Sequence, residues 1–118
     1  MEQPMYPEAS RELHRQRQEL APAAAAAFKA FGESVFADGA LPAKTKELIA
    51  VAVAHVTQCP YCIRGHTERA LRKGASQQEV MEAIWVAAEM RAGAAYAHSN
   101  LALDAMNQFA SKDGQTAV

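Results

Sequence analysis

The chain's only two cysteines stand in Cys59-Pro60-Tyr61-Cys62, with His66 four residues after the second and Glu47 twelve before the first. Two thiols at that spacing can make or break one disulfide. His66 shares a helix face with Cys62 at i, i+4, so its imidazole can pass a proton to or from the sulfur. Pro60 disfavours helical backbone at the residue before it and itself suits a first helical turn. Cys59 is therefore expected at an N-cap and Cys62 near the third position of the same helix. Both sulfurs then lie near the positive end of the helix dipole, which favours thiolate over thiol. The pattern reads as a redox site.

Glu47 belongs to the preceding helix. The chain must turn between Thr57 and Pro60, so the two helices are expected to lie antiparallel and to bring Glu47 opposite a residue such as His66 or Arg69. A carboxylate on a mostly apolar helix needs such a partner. The expected relay is Glu47–His66–Cys62: acid orients imidazole, imidazole activates thiol. Other uses of these side chains stay open. Cys59, Cys62 and His66 are three possible zinc ligands, with the fourth from His55, His98 or water. The cysteines also suit burial as small apolar residues. His55 is either a second proton carrier or a helix-end histidine satisfied by a carbonyl. Tyr61 and Trp85 read as packing residues, although Tyr61 lies between the thiols and can donate a hydrogen bond to one.

The elements that must hold this site are helical. Alanine, the best helix former, supplies 27 of the 118 residues, and no long alternating β-branched run is present. The spacing predicts an all-α single domain of about six helices in a compact bundle. Met1–Tyr6 reads as a loose arm and Pro7–Leu20 as a polar helix with Leu13 and Leu20 on one face. Pro22 opens a second helix that turns Phe28, Phe31 and Val35 inward and ends at Asp38-Gly39. Pro42 opens a third, running to Thr57, which is apolar all round and so is expected to be central and buried. A fourth spans Pro60–Lys73 and stops at Gly74. Ser76-Gln77-Gln78-Glu79 is a capping box for a fifth, with Val80, Ile84, Ala87 and Ala88 inward. Gly93 marks a break before a sixth helix, Ala94–Phe109, striped by Leu101, Ala105 and Phe109. Residues 1–20 form the arm and polar helix, 21–110 the helical domain, and 111–118 a frayed tail.

A formal net charge of −1 leaves no footprint for nucleic acid. The longest apolar run, Leu48–Val56, is interrupted by His55 and is too short to span a bilayer. Met1-Glu2-Gln3-Pro4 has neither the charged nor the apolar region of a signal peptide, so a cytoplasmic protein is expected. In a reducing compartment a cycling or metal-bound cysteine pair fits better than a static disulfide. An alanine-rich, thinly aromatic core in so short a chain implies that part of the apolar surface is buried between subunits.

Leu41-Pro42-x-Lys44-x-Lys46-Glu47-Leu48-Ile49-Ala50, followed by Cys59-Pro60-Tyr61-Cys62-Ile63-x-x-His66, resembles the alkylhydroperoxidase D-like branch of the carboxymuconolactone decarboxylase family. Ala83–Ala88 and the segment around Gly93 look similar too, so the resemblance covers about residues 20–110. It implies an all-helical fold, homo-oligomers that are often trimers or hexamers, and thiol peroxidase or disulfide reductase activity without a cofactor. Carried over by position, Cys62 is the peroxidatic thiol, Cys59 the resolving thiol, and His66 with Glu47 the proton relay. The substrate implied is a hydroperoxide or a disulfide, and the reductant a dithiol such as a lipoylated adaptor protein. One departure stands inside the motif, where Tyr61 replaces the histidine that the matching peroxidases carry between their cysteines. The decarboxylase branch of the family shares the fold and works without the cysteine pair.

Overall fold

A computed structural model describes the chain over residues 5–117, with side chains through Lys112; Met1–Pro4, and with them most of the expected loose arm, lie outside the described residues. Among the described residues there are five helices and no strand: α1 (Arg11–Leu20), α2 (Pro22–Phe36), α3 (Ala43–Thr57), α4 (Pro60–Arg72) and α5 (Gln77–Ala117). None is long and apolar enough to cross a membrane.

Local chemistry explains most of the boundaries. The Ser10 hydroxyl accepts from the Leu13 N–H, so α1 begins at Arg11 rather than at Pro7. Pro22 takes the first turn of α2. Pro42 is the N-cap of α3 and has no side-chain acceptor; Asp38 Oδ1 supplies one from the preceding loop, accepting from the Ala43 N–H at 2.7 Å. Gln58, at φ 59°, turns α3 into α4 through a left-handed residue. At the other end of α4, Gly74 has φ +95°. There the Gly74 and Ala75 N–H groups bond back to the Leu71 and Ala70 carbonyls in a Schellman pattern. The capping box then forms reciprocally, Glu79 N–H to Ser76 Oγ at 3.0 Å and Ser76 N–H to Glu79 Oε1 at 2.9 Å. The Ser76 backbone donor and the Lys44 ammonium hold the Glu79 carboxyl below its usual range.

The described residues form five helices where the sequence predicts six. Gly93 does not break α5. A lone helix-interior glycine costs only about 1 kcal/mol, less than the helix-forming residues on either side recover. The backbone also stays helical from Ser111 to Ala117, where a frayed tail is expected. At 41 residues, α5 is about 60 Å long and sets the 71 Å dimension of the molecule.

The core is small and local. Val51, Ala70, Ala75 and Val80 are buried, with Leu48 and Ile84 packed on them, where α3, α4 and the first half of α5 meet. Ala87 is buried but Ala88 is not. The all-round apolar α3 is covered on one side only: Val51 and Ala54 are buried, whereas Ile49 and Val53 are about half exposed. Phe28, Phe31 and Val35 of α2, expected inward, are exposed, Phe28 by 78%. Leu101 and Phe109 of α5 are each 68% exposed. The single chain lacks enough neighbouring helices to cover these faces. Its accessible surface is 9758 Å², against ~6,200 Å² for a folded monomer of this mass. Its radius of gyration is 21.8 Å, against about 13–14 Å for a compact chain of this length.

Candidate active site

Cys59 is the N-cap of α4, as its place before Pro60 predicts, and its Sγ accepts from the Cys62 N–H at 3.3 Å. The two cysteines form a disulfide, with Cα atoms 5.2 Å apart. α3 and α4 run as an antiparallel pair joined at Gln58, and this sets Glu47 against His66. Glu47 is 4% exposed, and its Oε2 lies 2.7 Å from His66 Nδ1. A carboxylate only accepts, so Nδ1–H is the donor. That leaves Nε2 as the ring nitrogen able to take or give a proton. Arg69, the other partner considered for Glu47, makes no ion pair among the described residues.

Phe36 stacks on the His66 ring, with centroids 5.1 Å apart and planes 24° from parallel. Sequence reasoning missed it, because Phe36 lies one residue beyond the Phe28, Phe31, Val35 stripe. Its position at the last residue of α2, just before a turn, is the only signal that could have drawn attention to it. Phe36 and the Glu47 carboxylate together restrict the imidazole to one orientation. An apolar groove of about 420 Å³ runs past Cys62 and His66, walled by Val35, Phe36, Ile49 and Val53. Val35 of α2 and Ile49 and Val53 of α3, exposed in the single chain, thus wall the approach to Cys62.

The other candidates resolve differently. His55 Nδ1 bonds the Val51 carbonyl at 2.7 Å, and His98 Nδ1 the Ala94 carbonyl at 2.8 Å, each one turn back on its own helix. His14 meets Arg17 on α1. Among the described residues no group of three or more His, Cys, Asp or Glu side chains is arranged to hold a metal ion. The Tyr61 hydroxyl does not reach a sulfur; it donates to the Pro7 carbonyl at 2.6 Å, and its ring packs edge-on against Tyr6. Trp85 is exposed on α5.

The carboxymuconolactone decarboxylase family model matches residues 22–105, a span that holds Glu47, both cysteines and His66. The chain belongs to that family. Among proteins similar to this family member is uncharacterised protein 4 in the cox locus of Paracoccus denitrificans, 66% identical over 82 residues, covering 70% of this chain and 74% of that one. A solved structure from Methanobacterium thermoautotrophicum is 40% identical with a TM-score of 0.67, covering 70% of this chain and 93% of its own. Another, a carboxymuconolactone decarboxylase family protein of Thermotoga maritima, is 27% identical with a TM-score of 0.56 and covers 79% and 96%. Involvement in an antioxidative response has been suggested for that protein. The family match stops short of α1, so the arm and first helix of this member lie outside the shared span.

Proposed function

We propose that the protein is a thiol-dependent hydroperoxide reductase, or disulfide oxidoreductase, whose Cys59–Cys62 pair cycles between dithiol and disulfide. The observation that carries this reading is the disulfide at the mouth of α4 with the part-buried Glu47–His66 pair one turn along. In the reduced state His66 Nε2 takes the Cys62 proton, and Glu47 stabilises the imidazolium. The Cys62 thiolate attacks the terminal oxygen of the hydroperoxide. The O–O bond breaks, Cys62 becomes a sulfenic acid, and the departing alkoxide takes the proton from His66. Cys59 then attacks the sulfenic sulfur, releasing water and forming the disulfide. A dithiol returns two electrons and two protons by exchange. A lipoylated adaptor protein is one such dithiol, and a reducing compartment suits the cycle.

The test is steady-state loss of an organic hydroperoxide with a dithiol-regenerating system. Turnover that depends on both dithiol and protein supports the peroxidase. Reversible reduction of the disulfide without peroxide turnover would move the assignment to a disulfide oxidoreductase. A disulfide that no dithiol reduces would end both.

The same reading includes self-association. The roughly 3,500 Å² of surface beyond that of a compact monomer exceeds what a standard interface buries. It is carried by apolar residues such as Phe28, Trp85, Leu101 and Phe109. A homo-oligomer of two or more copies, a trimer or hexamer by family resemblance, is the expected solution state. Light scattering at micromolar concentration checks it; a 12.7 kDa particle would contradict it.

A further inference from the structure

One face of α3 carries a cation at one end and apolar side chains along most of its length. Lys46, Ile49, Ala50, Val53, Ala54 and Thr57 recur at i, i+3, i+4, i+7, i+8 and i+11, so they share one stripe of the helix. All six line the groove that reaches Cys62 and His66. Lys46 and Thr57 are eleven residues apart, so this floor runs roughly 16 Å along the helix. No aspartate or glutamate is among the residues lining the groove, and Lys46 is the only permanently charged one. A volume near 420 Å³ is in the range that encloses a small molecule, roughly 300–1,000 Å³.

Lys46 stands against the ordinary preference of a helix. It lies close to the start of α3, near the positive end of the helix dipole, where a cation is disfavoured and an anion favoured. No acidic residue occupies the first turn of α3. Lys44 is paired with Glu79 at 2.9 Å, whereas Lys46 makes no ion pair among the described residues. Its Nζ donates to the Ala37 carbonyl at 2.6 Å. Asp38, the next residue, spends its Oδ1 on the Ala43 N–H. An ammonium has three N–H donors, and one carbonyl leaves two of them open. The groove thus offers hydrocarbon contact along its floor, a thiol and an imidazole on α4, and an unneutralised cation at one end.

We propose that Lys46 receives a carboxylate of the substrate, and that the substrate this groove fits is an aliphatic hydroperoxide bearing an acid group. The inference rests on the peroxidase reading given above and adds to it the charge of the substrate and the residue that anchors it. The hydrocarbon lies on Ile49, Ala50, Val53 and Ala54, with the hydroperoxide at Cys62. Cys62 Sγ takes the terminal peroxide oxygen, the O–O bond breaks, and the substrate leaves as the hydroxy acid. Cys59 then displaces that oxygen as water, so the protein's two thiols supply two electrons and two protons. The carboxylate is unchanged by the reaction. Lys46 is therefore a positioning and specificity residue, and its effect belongs in KM more than in kcat.

Linoleic acid hydroperoxide and its methyl ester are suitable probes, being the same hydroperoxide with and without the charge. Each is supplied below its micellar concentration with a dithiol-regenerating system, and tert-butyl hydroperoxide serves as a small uncharged reference. The acid is expected to exceed the ester in kcat/KM by about tenfold at low salt, the scale of one charge-assisted hydrogen bond. The excess should shrink with added NaCl as screening grows. Lys46→Gln keeps a donor for the Ala37 carbonyl but loses the charge, and should bring the acid down to the level of the ester. Lys46→Arg should keep the preference. Equal kcat/KM for acid and ester in the wild type would overturn the proposal while leaving the peroxidase intact. So would a Lys46→Gln protein that loses the same factor on all three hydroperoxides, which would make Lys46 only a tie for the end of α2. Turnover of tert-butyl hydroperoxide with neither fatty hydroperoxide consumed would also overturn it. Failure to turn over any of the three would overturn the peroxidase reading and this inference with it.

Discussion

Replacing Cys62 with serine should lower hydroperoxide turnover by at least about 10³-fold, because it removes the nucleophile rather than a group that tunes it. Cys59→Ser should also stop steady turnover, but for a different reason. Without a resolving thiol, Cys62 still attacks one hydroperoxide and stops at the sulfenic acid. A sulfenic-acid trap followed by mass spectrometry should therefore label Cys62 in the Cys59→Ser protein, once per chain. No label should appear on Cys59 in the Cys62→Ser protein. The reverse pattern would exchange the two roles. The asymmetry expected here comes from position: Cys62 shares a helix face and the apolar groove with His66, while Cys59 caps the helix.

The second large effect concerns the Glu47–His66 pair. His66→Ala should slow reduction of hydroperoxide by about 10²-fold, the usual scale for loss of a positioned general base. Glu47 stands one step further away, hydrogen-bonded to His66 Nδ1, and in the proposed cycle it orients the imidazole. Glu47→Gln keeps a hydrogen-bonding group of similar shape but loses the negative charge opposite the imidazolium. A loss of about tenfold is expected. It should shrink as pH rises past the free thiol's range of about 8.5, because thiolate then forms without help from a base. A loss that stays constant with pH would make Glu47 a purely structural residue. Glu47→Ala should do more harm to the fold, because it strips a buried, charged hydrogen-bond partner from His66 between α3 and α4. Urea unfolding should show about 1–3 kcal/mol of lost stability, with the Gln variant nearer the wild type.

The geometry of the candidate site is the most legible part of the sequence, because it is fixed by local rules. A proline after Cys59 forces the N-cap, i, i+4 spacing sets His66 beside Cys62, and a short turn after an apolar helix folds Glu47 back onto His66. The Ser76–Glu79 box and the Gly74 stop are legible for the same reason. What the sequence concealed depends on contacts distant along the chain. Phe36 stacks on His66 only because the loop after α2, tied down by Asp38 on the start of α3, brings it there. Tyr61 is held by Pro7, 54 residues away, which no periodicity announces. Gly93 misled because a glycine's cost is small beside the tendency of its alanine-rich surroundings to stay helical. The stripe of Phe28, Phe31 and Val35 predicts an inward face, yet all three are exposed. A stripe shows that a face is apolar, not that the same chain covers it.

The measurement that tests the central claim most directly is a single-turnover titration of the fully reduced protein with an organic hydroperoxide. Free thiols and remaining peroxide are followed together. The account predicts two thiols lost for each hydroperoxide consumed, with the Cys59–Cys62 disulfide recovered as the product and both thiols restored by a dithiol. Thiols that survive an excess of hydroperoxide, or thiols lost without formation of that disulfide, would contradict it.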